Sequence, residues 1–567
     1  MKLQCRGYVH TVIGNSKPFA IAYCYNAKNI VFQQKKTDLI NMITKTNFGA
    51  MIFFLAFHFL TIPALMSKKN SLKMLQLEEL TIAQLQQGYA NKSFTIKDVV
   101  KAYFERINKI DDSGPQINSI IITNPDAIKI AEALDRKLQS GEKLSPLFGV
   151  PVLLKDNIDT HDRMPNTAGS RALMHSFPLA DSYVAKRLRE AGAIILGKTN
   201  LSEWANFRGH LSTSGWSGVG GQTKNPYELS RNPCGSSSGS AVAVSASLCM
   251  IAIGTETNGS IVCPSHSNGI VGIKPTVGLI SRSGVIPISY TQDTPGPMAR
   301  TLTDAVIGLG VLTGIDNADA KTLESNGKFV TDYTPFLKKG SLKGKRIGLY
   351  KAPYGINYKV DTLMNEAVDY IKSQGAEVIE IEKIEEQEVE NLSFEIMLME
   401  YKDGLNKYFQ SLGKNAVIKN LEDLIAFNKN DSIELAYFNQ LYLEMALTKP
   451  SIDSEIYKET LAKMMEGSRK NGIDKVMEEN KLDAIMAPTG TPAWKTDLIN
   501  GDSFHFGTSS PTAHAGYPNI SLPMGLIDGM PVGISFFGKA WSEPILIEIA
   551  YSYEQGTKHR KAPTYRE

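Results

Sequence analysis

The sequence predicts an α/β protein whose helices cover both faces of a sheet, because strand-length apolar runs alternate with segments of helical period through the first half of the chain. The composition agrees: 42% hydrophobic and 21% charged residues over 567 positions can bury a large core. From Thr95 the segment TIKDVVKAYFERINKI places Val99, Tyr103, Phe104, Ile107 and Ile110 on one helical face, with Thr95 and Asp98 as start signals. FGVPVLLK, residues 148–155, is an apolar run ending on Lys155. DSYVAKRLREAG followed by AIILGK reads as a helix, a stop at Gly192 and a buried strand.

The length exceeds the usual single domain, but large α/β enzymes reach it with one extended sheet and insertions, so one main domain is expected over 75–560. Between 206 and 240 the sequence turns to Gly, Ser, Asn and Pro, a long loop of the kind that carries function. Charged, helix-prone sequence over about 360–480 reads as a helical insertion around the core, and the tail returns to the strand-like runs NISLPMG and PVGISFFG. There is no internal repeat.

Sixty-one basic against 58 acidic residues leave a formal charge of +3, which excludes the strong field of a nucleic-acid binder and points to a small, largely uncharged partner. Five cysteines at 5, 24, 234, 249 and 263 lack the paired short spacings of a zinc site, so no metal is expected. Without the N-terminal segment three cysteines remain, an odd and scattered set, and a disulfide framework is not expected either. Residues 48–66, FGAMIFFLAFHFLTIPALM, lie between Lys45 and Lys68 and read as an export or anchor segment within an extension over 1–66. Met42 would begin a conventional signal peptide, with cleavage after Ala64. A periplasmic or membrane-associated location follows if the segment acts so, and a cytoplasmic one if it does not; the oligomeric state is not legible.

Two motif matches fail on context. GAIILGKT, 192–199, fits the phosphate-loop expression, but a helix precedes it and Ala193 to Leu196 belong to a buried strand, where a phosphate loop needs a strand before it and a flexible loop within. GSSSG, 235–239, fits the nucleophile elbow around Ser237, but the upstream KNPYELSRNPC cannot be a central strand.

What remains is Lys155 at a strand end, a serine-rich turn at 235–239 entering a small-residue helix, and GTETNGSIVCP at 254–264. Taken singly these are a solvated lysine, a linker and a turn. In order and at this spacing they resemble the amidase signature family: a lysine closing a G-V-P-x-x-x-K strand, then a serine 24 residues beyond the first serine of a glycine/serine-rich segment, which here joins Ser236 to Ser260. GKTNLSEWANF, QDTPGPMAR, AGYPNISLPMG and PVGISFFG extend the resemblance over roughly 80–555. SGWSGVGGQTKNPY, GTETNGS and TPAWKTDLINGD are most similar to peptide amidases. Asn258 and Val262 depart from the glycine and arginine common in relatives.

The resemblance implies a mixed β-sheet core sandwiched between α-helices, no cofactor, and hydrolysis of a carboxamide C–N bond to carboxylate and ammonia through an acyl-enzyme on Ser260. It implies a cis peptide bond between Gly235 and Ser236, with Ser236 relaying the proton between Ser260 and Lys155. It also implies C-terminal peptide amides as substrates. The turn Thr257, Asn258, Gly259, Ser260 would aim backbone N–H groups at the oxyanion, each donor contributing on the order of 3 kcal/mol, and Ser237 would orient the lysine by a hydrogen bond. Lysine acts as a base only when neutral, which at an unperturbed pKa of about 10.4 costs roughly 4.6 kcal/mol at pH 7 unless burial lowers it. Asp156, if close, opposes that lowering, so the direction is open at this level. Two other classes share the motifs: an amidotransferase subunit releasing ammonia for tRNA-dependent transamidation, and a catalytically inactive binding protein.

Overall fold

The apolar runs singled out in the sequence become adjacent strands near one end of a large mixed sheet. In chain order the strands are β1 (Ile120–Thr123), β2 (Pro151–Lys155), β3 (Ile194–Thr199), β4 (Trp216–Ser217), β5 (Gly221–Gln222), β6 (Ile251–Glu256), β7 (Val271–Lys274), β8 (Thr294–Ala299), β9 (Arg346–Tyr350), β10 (Glu377–Ile381), β11 (Ala484–Pro488), β12 (Asn519–Ile527) and β13 (Met530–Phe537). Eleven of them form one sheet in the order β1-β3-β2-β6-β8-β7-β12-β13-β11-β9-β10, and β4 and β5 pair separately. The trios β3, β2, β6 and β11, β9, β10 are parallel; the other pairings are antiparallel. This computed structural model describes residues 75–140 and 145–567. The extension over 1–66, with its expected export segment at 48–66, lies outside the described residues.

Local chemistry accounts for the elements that frame the site. The helix Ile96–Ile107 opens with a capping box in which the Thr95 hydroxyl accepts from Asp98 N–H and the Asp98 carboxylate accepts from Thr95 N–H. Val99, Tyr103 and Ile107 are buried, Phe104 is half-buried, and Ile110 falls on the π-helical turn Asn108–Asp112 that follows. The helix Tyr183–Glu190 is capped by Ser182 and ends before Gly192, whose φ of 70° turns the chain into β3. Every residue of β2, β3 and β6 is buried, as expected of strands with helices against both faces. The stretch 360–480 is mainly helical, with its longest helix at Gln387–Ser411, and also contributes β10 to the sheet edge.

Candidate active site

β2 and β6 run parallel with Leu154 opposite Ile253, so their C-terminal ends open on the same edge of the sheet, the edge where open α/β sheets bind ligands. Lys155 closes β2, and the turn Thr257–Ser260 follows β6. Gly254 in β6 has a packing reason: a Cβ there would lie 2.7 Å from the Ser237 hydroxyl. Gly259 holds a φ of 84°, a conformation that a residue with a side chain rarely adopts, and so lets the turn reverse just before Ser260.

Lys155 is fully buried, and its ammonium nitrogen donates to Ser236 Oγ at 2.7 Å, Thr255 Oγ1 at 2.9 Å and the Thr255 carbonyl at 3.2 Å. Burial lowers its pKa from 10.5 to about 7, against the opposing charges of Asp293 and Glu256. Asp156 exerts no such opposition. Asp156 lies in the turn just past β2, and its carboxylate accepts from the N–H and hydroxyl of Thr167. Asp293, not adjacent in sequence, supplies the charge instead; it accepts from Thr257 Oγ1 at 2.6 Å and from the N–H groups of Ile288 and Ser289 at 2.7 and 2.8 Å.

The Gly235–Ser236 peptide bond is cis. Ser237 makes no hydrogen bond to the lysine. Its hydroxyl donates to the Thr255 carbonyl at 3.0 Å and accepts from Thr255 N–H at 3.2 Å, so it fixes Thr255, and Thr255 holds the lysine. The sequence reading missed Thr255, although its place three residues before Asn258 in GTETNGS was the available signal. Ser237 N–H also donates to the Ser260 carbonyl at 3.1 Å, joining the two serine-bearing segments. Glu256 accepts from Ile261 and Val262 N–H at 2.7 and 3.0 Å, which anchors the far side of the turn. Among the described residues the N–H groups of Thr257, Asn258, Gly259 and Ser260 meet no acceptor, nor does the Ser260 hydroxyl.

Ser236 and Ser260 line a cavity of about 520 Å³, within the range of small-molecule sites. Phe207, Leu211, Ile288, Met397, Tyr442 and Trp494 supply apolar wall. Both departures from the family pattern shape it. Asn258 is clamped between Ser510, to which its Nδ2 donates at 3.1 Å, and Ser509, whose hydroxyl donates to its Oδ1 at 2.6 Å. Val262 adds apolar surface.

The expectation of no disulfide is corrected: Cys234 and Cys263 are bonded, with Cα atoms 6.0 Å apart, inside the bridging range. Their separation of 29 residues carries no pairing signal, and they meet only because the turn before Ser236 and the helix Val262–Ser267 converge on the cavity. Cys249 is the unpaired, buried cysteine among the described residues.

A second missed group stiffens the cavity wall at 205–211. Arg208 is 1% exposed and donates to Glu203 at 2.6 Å and to the Glu434 carbonyl at 2.5 Å, with the Glu434 carboxylate 3.6 Å away. Burial, outweighing the Arg208 charge, pushes the Glu203 carboxyl well above the usual range. This group ties the glycine/serine-rich region to the stretch 431–442, and no spacing in the sequence announces it.

Two serine hydroxyls on the wall of a cavity with both polar and apolar lining, one of them bonded to a buried lysine of lowered pKa, are groups of the kind that acyl transfer uses. The Amidase family model matches residues 98–547, and the chain belongs to the amidase family and is an amidase-type hydrolase. It is 43% identical to a protein of Arabidopsis thaliana described as a probable amidase, over 86% of this chain and 92% of that one. It is similar to the native peptide amidase of Stenotrophomonas maltophilia, at 45% identity and a TM-score of 0.83, covering 87% of this chain and all of that one. It is also 32% identical to a glutamyl-tRNA(Gln) amidotransferase polypeptide from Clostridium botulinum, over 86% of this chain and 99% of that one.

Proposed function

We propose that the protein hydrolyses the C-terminal carboxamide of peptides through an acyl-enzyme on Ser260. The observation that carries the reading is Lys155, fully buried behind the cavity-lining Ser236, with its pKa lowered to about 7 and bonded to Ser236 at 2.7 Å. In the first half-reaction Ser260 Oγ attacks the carboxamide carbon. Its proton passes to Ser236, whose own proton passes to neutral Lys155. The turn 257–260, whose N–H groups meet no acceptor among the described residues, faces the oxyanion. Collapse breaks the C–N bond, and the proton returns through Ser236 to the leaving nitrogen, which departs as ammonia. Water then repeats the sequence on the ester and releases the peptide acid.

The peptide-amide assignment is supported by 45% identity to the Stenotrophomonas peptide amidase and by the placement of Ser214, Trp494 and Asp502, from the two segments most like such enzymes, on the cavity wall. Selection against longer chains follows from leaving room for NH₂ and no further residue, which is stricter than telling side-chain methylenes apart at about 1 to 3 kcal/mol each. The test compares ammonia release from a peptide amide with cleavage of the same peptide extended by one residue. Strong preference for the amide is expected, and equal rates on both would sink the assignment. Glutamine-dependent ammonia release with copurifying partner proteins would instead favour the amidotransferase reading, which the Clostridium relative keeps in view. We also place the protein in an oxidising compartment, a reading supported by the Cys234–Cys263 bond and checked by cell fractionation.

A further inference from the structure

The disulfide sits closer to the reaction centre than a stabilising cross-link needs to. Cys234 lies two residues before Ser236 and Cys263 three after Ser260, and all four line the same cavity. The bridge is thus the covalent tie between the two serine-bearing segments, beside hydrogen bonds from Ser237 N–H to the Ser260 carbonyl, between the Ser237 hydroxyl and Thr255, and from Asn268 Nδ2 to the Pro233 carbonyl. Each half is also held from behind. Cys234 N–H donates to Asn232 Oδ1 at 2.8 Å and its carbonyl accepts from Ser238 Oγ at 2.6 Å, while Cys263 N–H donates to the Gly259 carbonyl at 2.8 Å. Trp494 packs on the two cysteines, and its indole N–H donates to Asp502 at 3.1 Å, which in turn takes the N–H and hydroxyl of Ser214. A movement of either sulfur therefore reaches both serine segments and one wall of the cavity.

We propose that the Cys234–Cys263 disulfide is a positioning element of the catalytic centre, reducible by a dithiol that enters through the substrate cavity, so that turnover depends on its oxidised state. This rests on Ser260 as nucleophile and Ser236 as relay. A thiolate of the reductant attacks one sulfur, forming a mixed disulfide and releasing the other cysteine as thiolate. The reductant's second thiol then displaces the first cysteine, and its two sulfurs close into a disulfide. Two electrons and two protons end on Cys234 and Cys263. Two sulfurs that share a bond must then separate to non-bonded contact, a displacement on the order of 1 Å or more. A misplacement of about 1 Å can cost on the order of a hundredfold in rate. Cys249 does not confuse the readout, since it is fully buried and burial pushes its thiol up to about 12.

The experiment treats the full chain with dithiothreitol without denaturant, maps the new thiols by alkylation and mass spectrometry, and measures kcat and KM on a peptide amide alongside circular dichroism. Labelling at Cys234 and Cys263, a fall in kcat of about tenfold or more, KM within about threefold, an unchanged fold and recovery on reoxidation are expected. The Cys234→Ala/Cys263→Ala chain should show the same low kcat and no response to dithiothreitol, while Cys249→Ser should respond as the parent does. A reduced, folded chain turning over at the oxidised rate overturns the proposal. So does resistance of the bond to dithiothreitol in the folded state, or unfolding of both the reduced and the double-variant chains, which would leave a purely stabilising cross-link. Activity surviving in Ser260→Ala would instead remove the catalytic assignment itself, independently of the redox result.

Discussion

On the proposed mechanism the rate must follow the neutral fraction of Lys155. With its pKa lowered to about 7, about half of the lysine is neutral at pH 7, against on the order of one part in three thousand for a lysine left at 10.5. The difference corresponds to on the order of 5 kcal/mol, which burial imposes and the folded structure carries. The sign for stability follows: between about pH 7 and 10.5 the unfolded chain holds a proton that the folded chain lacks, so this group's contribution to stability rises with pH through that window and is lowest below it. For activity, log kcat/KM of the free enzyme should climb with unit slope from about pH 5, level off just above pH 7 and lose about a hundredfold at pH 5. Asp293→Asn should move this limb to lower pH, because the Asp293 charge is the largest influence holding the lysine pKa up against burial. The assay is initial-rate ammonia release from a peptide amide between pH 5 and 9.5, with a solvent isotope effect showing that chemistry limits the rate. A flat profile over that range, or a limb that Asp293→Asn shifts to higher pH, would refute Lys155 as the base.

Ser260→Ala should cut turnover by at least about a thousandfold while leaving the circular dichroism spectrum and thermal midpoint near those of the parent, since it removes the covalent step and little buried volume. Near-normal hydrolysis in that variant would refute the nucleophile. Arg208→Ala leaves Glu203 and Glu434 facing each other without their cation and should lower stability in urea by about 3 to 5 kcal/mol. A loss below about 1 kcal/mol would show that the two carboxyl groups do not need the guanidinium.

The parts of this protein that were legible in the sequence are those that local pattern encodes. β2 and β3 were readable as apolar runs bounded by Lys155 and Gly192, and the helix at Ile96–Ile107 announced itself through its capping residues and 3.6-residue period. The rejected phosphate-loop match was readable for the same reason, since residues 194–199 form β3. The 24-residue interval grouped Ser236 with Ser260, and the lysine that precedes them in the chain does bond to Ser236.

Only the tertiary structure decided which partners those residues keep. Chain adjacency pointed to Asp156 as the charge acting on the lysine, and the family resemblance to Ser237 as its support. Bonds to Thr167 hold the Asp156 carboxylate elsewhere, and the parallel register of β2 on β6 brings up Thr255 instead, with the distant Asp293 and then Glu256 as the acting charges. Cys234 with Cys263, and Arg208 with Glu434, are likewise pairs made by long-range convergence. By itself the sequence determined the strands and helices of strong local pattern and the order of the segments that resemble the amidase signature, because periodicity and spacing are local properties of the chain. Protonation, support and cross-linking were decided by burial and sheet register, which depend on segments that the fold brings together across intervals such as the 226 positions between Arg208 and Glu434 and that leave no mark in any one of them.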